Sequence, residues 1–383
     1  MRHHDGSDLG IPLDRVVAAV GVLALVAATV ARPGDTDAAA SQDWSPFVLV
    51  TGLLLIGIVA DDDGLFAAVG HQLARAAPNG SLLFVGATVL IGLVTAVLNL
   101  DTSVAFLTPV VVYTARSRGQ GEAALLYGSL LLSNAGSLFL PGSNLTNLIV
   151  LGHHHLSGGE FLARMWAPAL AAFVVTALVV AAFEHRSFRG RPTELKPPEK
   201  PVLGLGVLSV GLAVVLVLVL PSPALPVAVV GVAAMGTRLA AKKDEPARVA
   251  RVLGVPVLVG LFGVAVALGT LGRAWSGPAT LLSHLSSWGT AFFAAGTSVL
   301  VNNLPAASLL SARAPEHPFS LLIGLNLGPN LFVSGSLAWL LWLRTARSAG
   351  AGPSIAKASR IGVVAVPLSM AAALTVLALT GSS

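Results

Sequence analysis

Cysteine is absent from this 383-residue chain, which excludes disulfides, zinc–thiolate sites and a cysteine nucleophile. Charge is scarce as well. Charged residues make up 11% of the chain, against about a quarter in a soluble globular protein. Lys and Arg number 23 and Asp and Glu 18, a net charge of +5. Such a chain cannot coat a water-facing surface, and one very large soluble core would need far more polar residues to cover it. What is abundant is apolar: 55% of residues are hydrophobic and the mean hydropathy is +0.82. The composition predicts an all-α polytopic membrane protein. Basic loops are not interleaved with aromatics, so nucleic acid is not expected as a partner. No GxxxxGK[ST] loop occurs, so the chain is not expected to hydrolyse ATP, and no cofactor is implied. The run VVAAVGVLALVAATVA follows a start of mixed charge and reads as a first span, not a cleavable signal.

Apolar runs occupy about 13–31, 46–60, 81–98, 102–115, 123–150, 161–183, 203–220, 225–240, 253–272, 290–312, 319–343 and 361–380. A clean helical span needs about 20 residues, so several runs are too short or too broken to cross as one helix. The connections divide by charge. Arg75, Arg116 with Arg118, 184–200, 238–251, and Arg344, Arg347, Lys357 and Arg360 are basic and belong in the cytoplasm by the positive-inside rule. The stretch 32–45 with Asp35, Asp37 and Asp43, the stretch 152–160 and Pro221–Pro223 are poor in Lys and Arg and belong outside. Both sets hold together only if 81–115 enters from and returns to the cytoplasm and 290–312 does the same from outside. Each is then a re-entrant hairpin with its tip at membrane depth. The chain would start inside, cross about nine times and end outside, in a cell inner (plasma) membrane.

The two hairpins suggest a duplicated chain. LFLPGS at Leu138–Ser143 returns as LFVSGS at Leu331–Ser336, and VLNLDT at Val97–Thr102 faces LVNNLP at Leu300–Pro305. Residues 1–200 read as a first repeat of two spans, a hairpin, a broken span and a span, 201–222 as a linking helix, and 223–383 as a second, inverted repeat. That is the plan of many secondary transporters. A non-transporting membrane receptor or scaffold is the alternative of another class.

Asp101 is the only acidic side chain expected inside these runs. A lone ionisable group at membrane depth costs roughly 2.5–3.5 kcal/mol on insertion scales, so it has either a function or a structural excuse. The excuse is capping of a helix that begins at Thr102; the function is carrying a proton or cation. A second kind of site is offered by Asn99, Asn134, Asn144, Asn147, Asn302, Asn303, Asn326 and Asn330, all at hairpin tips or span breaks. An amide there can hold solute or satisfy freed backbone. Ser143 and Ser336 fall in the same boxes. Pro109, Pro141, Pro305 and Pro329 break helices and shape the site. His153, His154 and His155 point to different faces and read as a wet outer loop, as do His3 and His4, so no metal site is expected. A membrane hydrolase would need a base beside its nucleophile, and Asp101 has no His neighbour in sequence.

These boxes resemble the arsenite/antimonite efflux permeases of the ArsB type, within the ion transporter superfamily that includes dicarboxylate carriers. The likeness is carried by LDTSVAFLTP (Leu100–Pro109), SNAGSLFLPGSNLTNLIV (Ser133–Val150), SVLVNNLP (Ser298–Pro305) and NLGPNLFVSGSLAWLLWL (Asn326–Leu343). The resemblance implies an elevator-type transporter that exports arsenite in exchange for protons. It maps Asp101 onto the family's hairpin Asp and Asn302 with Asn303 onto its paired Asn. The partners expected are a small inorganic or anionic solute, protons, the lipid bilayer, a cytoplasmic ATPase and a second copy of the chain. Leu100, Asn326 and Asn330 depart from the family's Asn, Asp and Lys, so two intramembrane charges are missing. The residues expected to carry the activity are thus Asp101 for coupling, and Asn99, Thr102, Asn134, Ser143, Asn144, Asn302, Asn303, Asn326 and Ser336 for solute. A proton- or sodium-coupled anion carrier of the same superfamily is the runner-up.

Overall fold

The computed structural model describes residues 13–153, 156–189, 204–220 and 222–381. His3, His4, His154 and His155 lie outside them. The described residues are helical throughout, with turns between. First come α1 (Leu13–Ala31), α2 (Pro33–Asp62) and the short α3 (Leu65–Ala76). A helical hairpin follows, made of α4 (Gly80–Val97), the single turn α5 (Leu100–Thr102), a π-helical stretch Ser103–Leu107, and α6 (Thr108–Ser117). The next span is α7 (Ala123–Gly136), a break, and α8 (Leu145–Val150), and then comes α9 (Gly158–Phe183). After α10 (Leu205–Val219) the same order of elements returns. It runs α11 (Ala224–Ala240), α12 (Pro246–Leu253), α13 (Val255–Ala274) and α14 (Gly277–Ser283), then a hairpin of α15 (Ser287–Val301) and α16 (Asn303–Leu310). A broken span of α17 (Pro318–Leu327) and α18 (Leu337–Ser348) follows, and α19 (Ile355–Leu379) closes the chain. Among the described residues, five stretches are long and apolar enough to cross a membrane: Pro33–Asp62, Gly80–Val97, Gly158–Phe183, Pro246–Ala274 and Ile355–Leu379.

The helices end where the sequence chemistry stops them. Chain reversal in the first hairpin occurs at Leu98–Asn99. Arg118 Nη2 at the far end of α6 donates to Ala77 O, just ahead of α4, at 2.6 Å, so both arms start and finish at one end of the molecule. Contacts at that end join the basic connections to one another: Arg116 donates to the carbonyls of Ala349 and Gly350 at 2.8 and 2.9 Å, and Lys357 Nζ donates to Glu184 at 2.9 Å. At the opposite, charge-poor end, Arg313 Nη2 donates to Arg273 O at 2.9 Å, bringing the end of the second hairpin beside the segment that leads into it.

One expectation is corrected. The stretch 32–45, read as an outer connection, is the first part of α2. Pro33 at the first helical position has the φ a helix needs, and Asp35 in the first turn suits the positive helix end. The helix therefore starts early and carries Asp43 into the interior, at 1% exposure. Asp43, outside the apolar runs as read, thus joins Asp101 as a second acidic side chain in the helical interior.

Close backbone approach holds α1 to α13. A Cβ built on Gly21 would lie 2.0 Å from Gly260 O, one on Gly260 2.3 Å from Val17 O, and one on Gly263 2.2 Å from Gly21 O. Small residues here do what apolar burial cannot do between helices in lipid, letting the backbones touch. Gly260→Val should push the pair apart and lower stability by about 1–3 kcal/mol, the usual cost of overpacking, read as a drop in melting temperature in detergent.

At the basic end a charge cluster joins α2 to the turn after α11. Arg238 pairs with Asp63 at 2.8 Å and with Asp244 at 2.6 Å, while Arg248 pairs with Asp62 at 2.7 Å and Asp244 at 2.5 Å. Burial pushes the Asp244 carboxyl up, but hydrogen bonds and charge from Arg238 and then Arg248 outweigh it and hold it below the ordinary value. A depressed carboxylate contributes stability above its unfolded pKa and loses it as pH falls through the folded one. Asp244→Asn should therefore melt earlier than the parent at neutral pH, and the gap should close below about pH 4.

Candidate functional site

Both hairpin tips are built on an Asn in a backbone conformation that side chains rarely adopt. Asn99 has φ 154° and Asn302 φ 76°, two of the three non-glycine residues with positive φ among those described. Each caps the arm that follows: Asn99 Oδ1 accepts from Thr102 N at 2.7 Å and Asn302 Oδ1 from Leu304 N at 3.3 Å. Strain of this kind costs of order 1–3 kcal/mol and clusters at functional sites. The cap is therefore Asn99 and not Asp101. Asp101 sits in the first turn, where a carboxylate favours the positive helix end but is not consumed by capping.

The two tips and the two span breaks meet. A cavity of about 20 Å3, room for about one water, is lined by Leu100, Asp101, Asn144, Leu145, Leu258, Leu261, Asn302, Asn303, Leu304, Ser336 and Leu337. No Lys, Arg or His lines it. Four of its walls are helix beginnings: α5 at Leu100, α8 at Leu145, α16 at Asn303 and α18 at Leu337. The helix dipoles and the first-turn N–H groups that the caps leave unused bring partial positive charge toward it without a cationic side chain. Several buried polar atoms nearby lack a hydrogen-bond partner among the described residues, namely Asn99 Nδ2, Thr102 Oγ1, Thr146 Oγ1 and Ser336 Oγ. An orphaned buried polar atom is costly unless something else satisfies it. A second cavity of about 290 Å3 shares Leu261, Asn302, Ser336 and Leu337 with the first and runs to Arg344 at the basic end.

Of the residues singled out in the sequence, Asp101, Asn144, Asn302, Asn303 and Ser336 line the cavity, and Asn99 and Thr102 lie directly behind it. Asn134, Ser143 and Asn326 form part of a separate layer that ties the two broken spans together. Asn326 Oδ1 accepts from Ser137 Oγ at 2.5 Å and from Asn144 Nδ2 at 2.7 Å. Its amide donates to Asn147 Oδ1 at 2.7 Å and to Leu322 O at 2.8 Å. Asn134 Nδ2 donates to Asn330 Oδ1 at 2.9 Å, and Ser143 Oγ donates to Ser137 O at 2.7 Å within the first break. Trp339 Nε1 donates to Pro329 O at 2.7 Å and Trp342 Nε1 to Leu126 O at 2.8 Å, fixing α18 against the second break and α7. Sequence reading missed Ser137, Gln42, Asp43 and Arg273. The Pro33–Asp35 helix start was the signal that would have brought Gln42 and Asp43 inside.

Hairpins, broken spans and a polar chamber at their junction are the architecture of a polytopic membrane transport protein, and sequence similarity places the chain in the ion transporter superfamily. The model of the citrate transporter family (CitMHS) matches residues 9–343, and the chain belongs to that family. An arsenical pump membrane protein of Escherichia coli is 26% identical over 359 residues, covering 84% of this chain and 83% of that protein. The inner membrane protein YbiR of Escherichia coli strain K12 is 27% identical over 312 residues, covering 80% and 81%. Among solved structures, the Alcanivorax borkumensis YdaH transporter, described as having an unusual topology, aligns with a TM-score of 0.58. That alignment covers 96% of this chain and 98% of the other at 14% identity, a likeness of fold.

Proposed function

We propose that the protein is a secondary active transporter that exports arsenite or antimonite in exchange for protons. Asp101 carries the proton, and Asn99, Thr102, Asn144, Asn302, Asn303 and Ser336 hold the solute once the chamber, closed here to about one water, widens into the adjoining 290 Å3 cavity. Asn134, Ser143 and Asn326, one layer back, brace the breaks. The observation that carries this reading is the convergence of two Asn-bearing tips, four helix beginnings and one carboxylate on a single small chamber. A neutral trihydroxylated solute offers donors to the carboxylate and amide oxygens and acceptors to the free N–H groups. Similarity to the arsenical pump proteins supports the same solute. In this reading residues 1–200 and 223–383 are oppositely oriented repeats joined by 201–222, the N-terminus is cytoplasmic, and the halves give alternating access in the inner membrane.

The second reading, a carrier of dicarboxylates or inorganic anions, is favoured by the positive partial charge of the four helix beginnings and by the citrate transporter family description. Uptake into everted membrane vesicles separates the two. Arsenite should accumulate under an acid-inside pH gradient and leak away when a protonophore is added. Accumulation of citrate or another dicarboxylate, with none of arsenite, would instead establish the anion carrier.

A further inference from the structure

Two neighbouring residues of α2 reach to both elements that carry the chamber. Gln42 Nε2 donates to Ile149 O of α8 at 2.8 Å and reaches Ser311, just past α16, at 3.4 Å. Its Oε1 accepts from Arg273 Nη2 of α13 at 2.5 Å. Asp43 Oδ2 accepts from Ser308 Oγ of α16 at 3.0 Å. Ile149 lies four residues beyond Leu145, and Ser308 four beyond Leu304, so these bonds sit about 6 Å, one helical turn, above the chamber on both elements. On their other side is an open cavity of about 390 Å3 at the charge-poor end, lined in part by Gln42, Ser45, Leu148, Gly152 and Arg273. Asp43 itself is 1% exposed. A buried carboxylate is a poor choice for holding helices together where an apolar side chain would pack at less cost. At membrane depth it argues for a function.

We propose that Gln42, Asp43 and Arg273 form a gate that closes the chamber off from the charge-poor end, and that the ionised Asp43 holds this gate shut. The proposal rests on the transport reading for its purpose, but not for its test. Release of solute toward the 390 Å3 vestibule requires α8 and α16 to part from α2, which breaks the Gln42–Ile149 and Asp43–Ser308 bonds together. Arg273 of α13 is the charged group that acts on Asp43; Asp35, on α2 itself, acts in turn on Arg273, and neither α8 nor α16 carries a charged residue. Protonation removes the attraction of Asp43 for Arg273 and leaves its contact with Ser308 an ordinary neutral hydrogen bond. Acid on the vestibule side thus opens the gate toward the side from which protons would enter.

Because the chain has no cysteine, Leu145→Cys, at the chamber wall, supplies a single thiol whose access can be read by a membrane-impermeant maleimide applied to one side of sealed vesicles. Labelling rates are taken relative to a fully exposed thiol at the same pH, so that the changing thiolate fraction cancels; with Asp43 present, this relative labelling from the charge-poor side should be slow at neutral pH and rise as the pH on that side falls. With Asp43→Asn added, labelling from that side should be about tenfold faster at neutral pH and flat with pH, while labelling from the basic side falls, as expected of a shifted two-state equilibrium. Gln42→Leu should also speed labelling from the charge-poor side but keep the pH response. Equal rates and pH responses with and without Asp43, or faster labelling from both sides at once, would overturn the gate. No solute is present, so a failed solute assignment shows as absent flux and leaves this measurement intact.

Discussion

Asp101→Asn should abolish pH-driven accumulation of solute in everted vesicles, to the level of vesicles without the protein, while the protein still folds and inserts. The substitution keeps size and most hydrogen-bonding capacity, and removes only the ability to gain and lose a proton. Folding should survive because the helix that follows the tip is capped by Asn99, whose side chain takes the Thr102 N–H. The carboxylate lines the chamber and its place in the cap is already filled. Proton transfer by a positioned group typically contributes two or more orders of magnitude to a rate, and in an exchanger the loss is larger, because without a titrating group the gradient has nothing to act on. Downhill equilibration of solute should persist at a reduced rate. Full pH-driven exchange in Asp101→Asn would show that the coupling proton travels elsewhere, and Asp43 would be the next carboxylate to examine.

Asn326→Leu should cost more in stability than any other single change in the polar layer. The Asn326 amide bonds side chains from both sides of the first break, Ser137, Asn144 and Asn147, together with its own helix at Leu322. Leucine of similar volume satisfies none of them, and each stranded buried group costs about 1–3 kcal/mol. Polar pairs in membrane proteins average less, about 0.6 kcal/mol, because the unfolded chain in lipid finds other partners. With Asn144 Nδ2 and Asn147 Oδ1 stranded at once, while Ser137 Oγ keeps its bond to Asn134 O, a total near 3 kcal/mol is expected. In detergent this should appear as a clear fall in melting temperature and in yield of monodisperse protein. Equal melting of Asn326→Leu and the parent would mean that the two broken spans are held by apolar packing alone.

The hairpins and the breaks were legible in the sequence because their causes are local. Asn99, Asn302, Pro141, Pro329 and the repeated LFxxGS boxes interrupt helices whatever surrounds them. Asp101, Asn144, Asn302, Asn303 and Ser336 line one cavity because they sit at the hairpin tips and span breaks, the same interruptions that single them out in the sequence. The division of labour among the amides was not legible. Asn134, Asn144 and Asn326 are the same residue in similar boxes, all three are bonded across the two broken spans, and only the place of Asn144 on the cavity wall sets it apart. Asp43 was misread because three acids in a row of polar residues look like a loop, and a helix start at Pro33 outweighs that composition.

The positive character of the chamber comes from peptide units at the starts of α5, α8, α16 and α18 and not from lysine or arginine. Such a field neither titrates nor disappears when a side chain is exchanged, so across the acidity range in which the carboxylates switch, attraction for electronegative atoms stays constant. In the proposed proton exchange, the energy that loads and unloads the carrier would then come from proton occupancy, and discrimination between solutes from the shape the four helix mouths leave open.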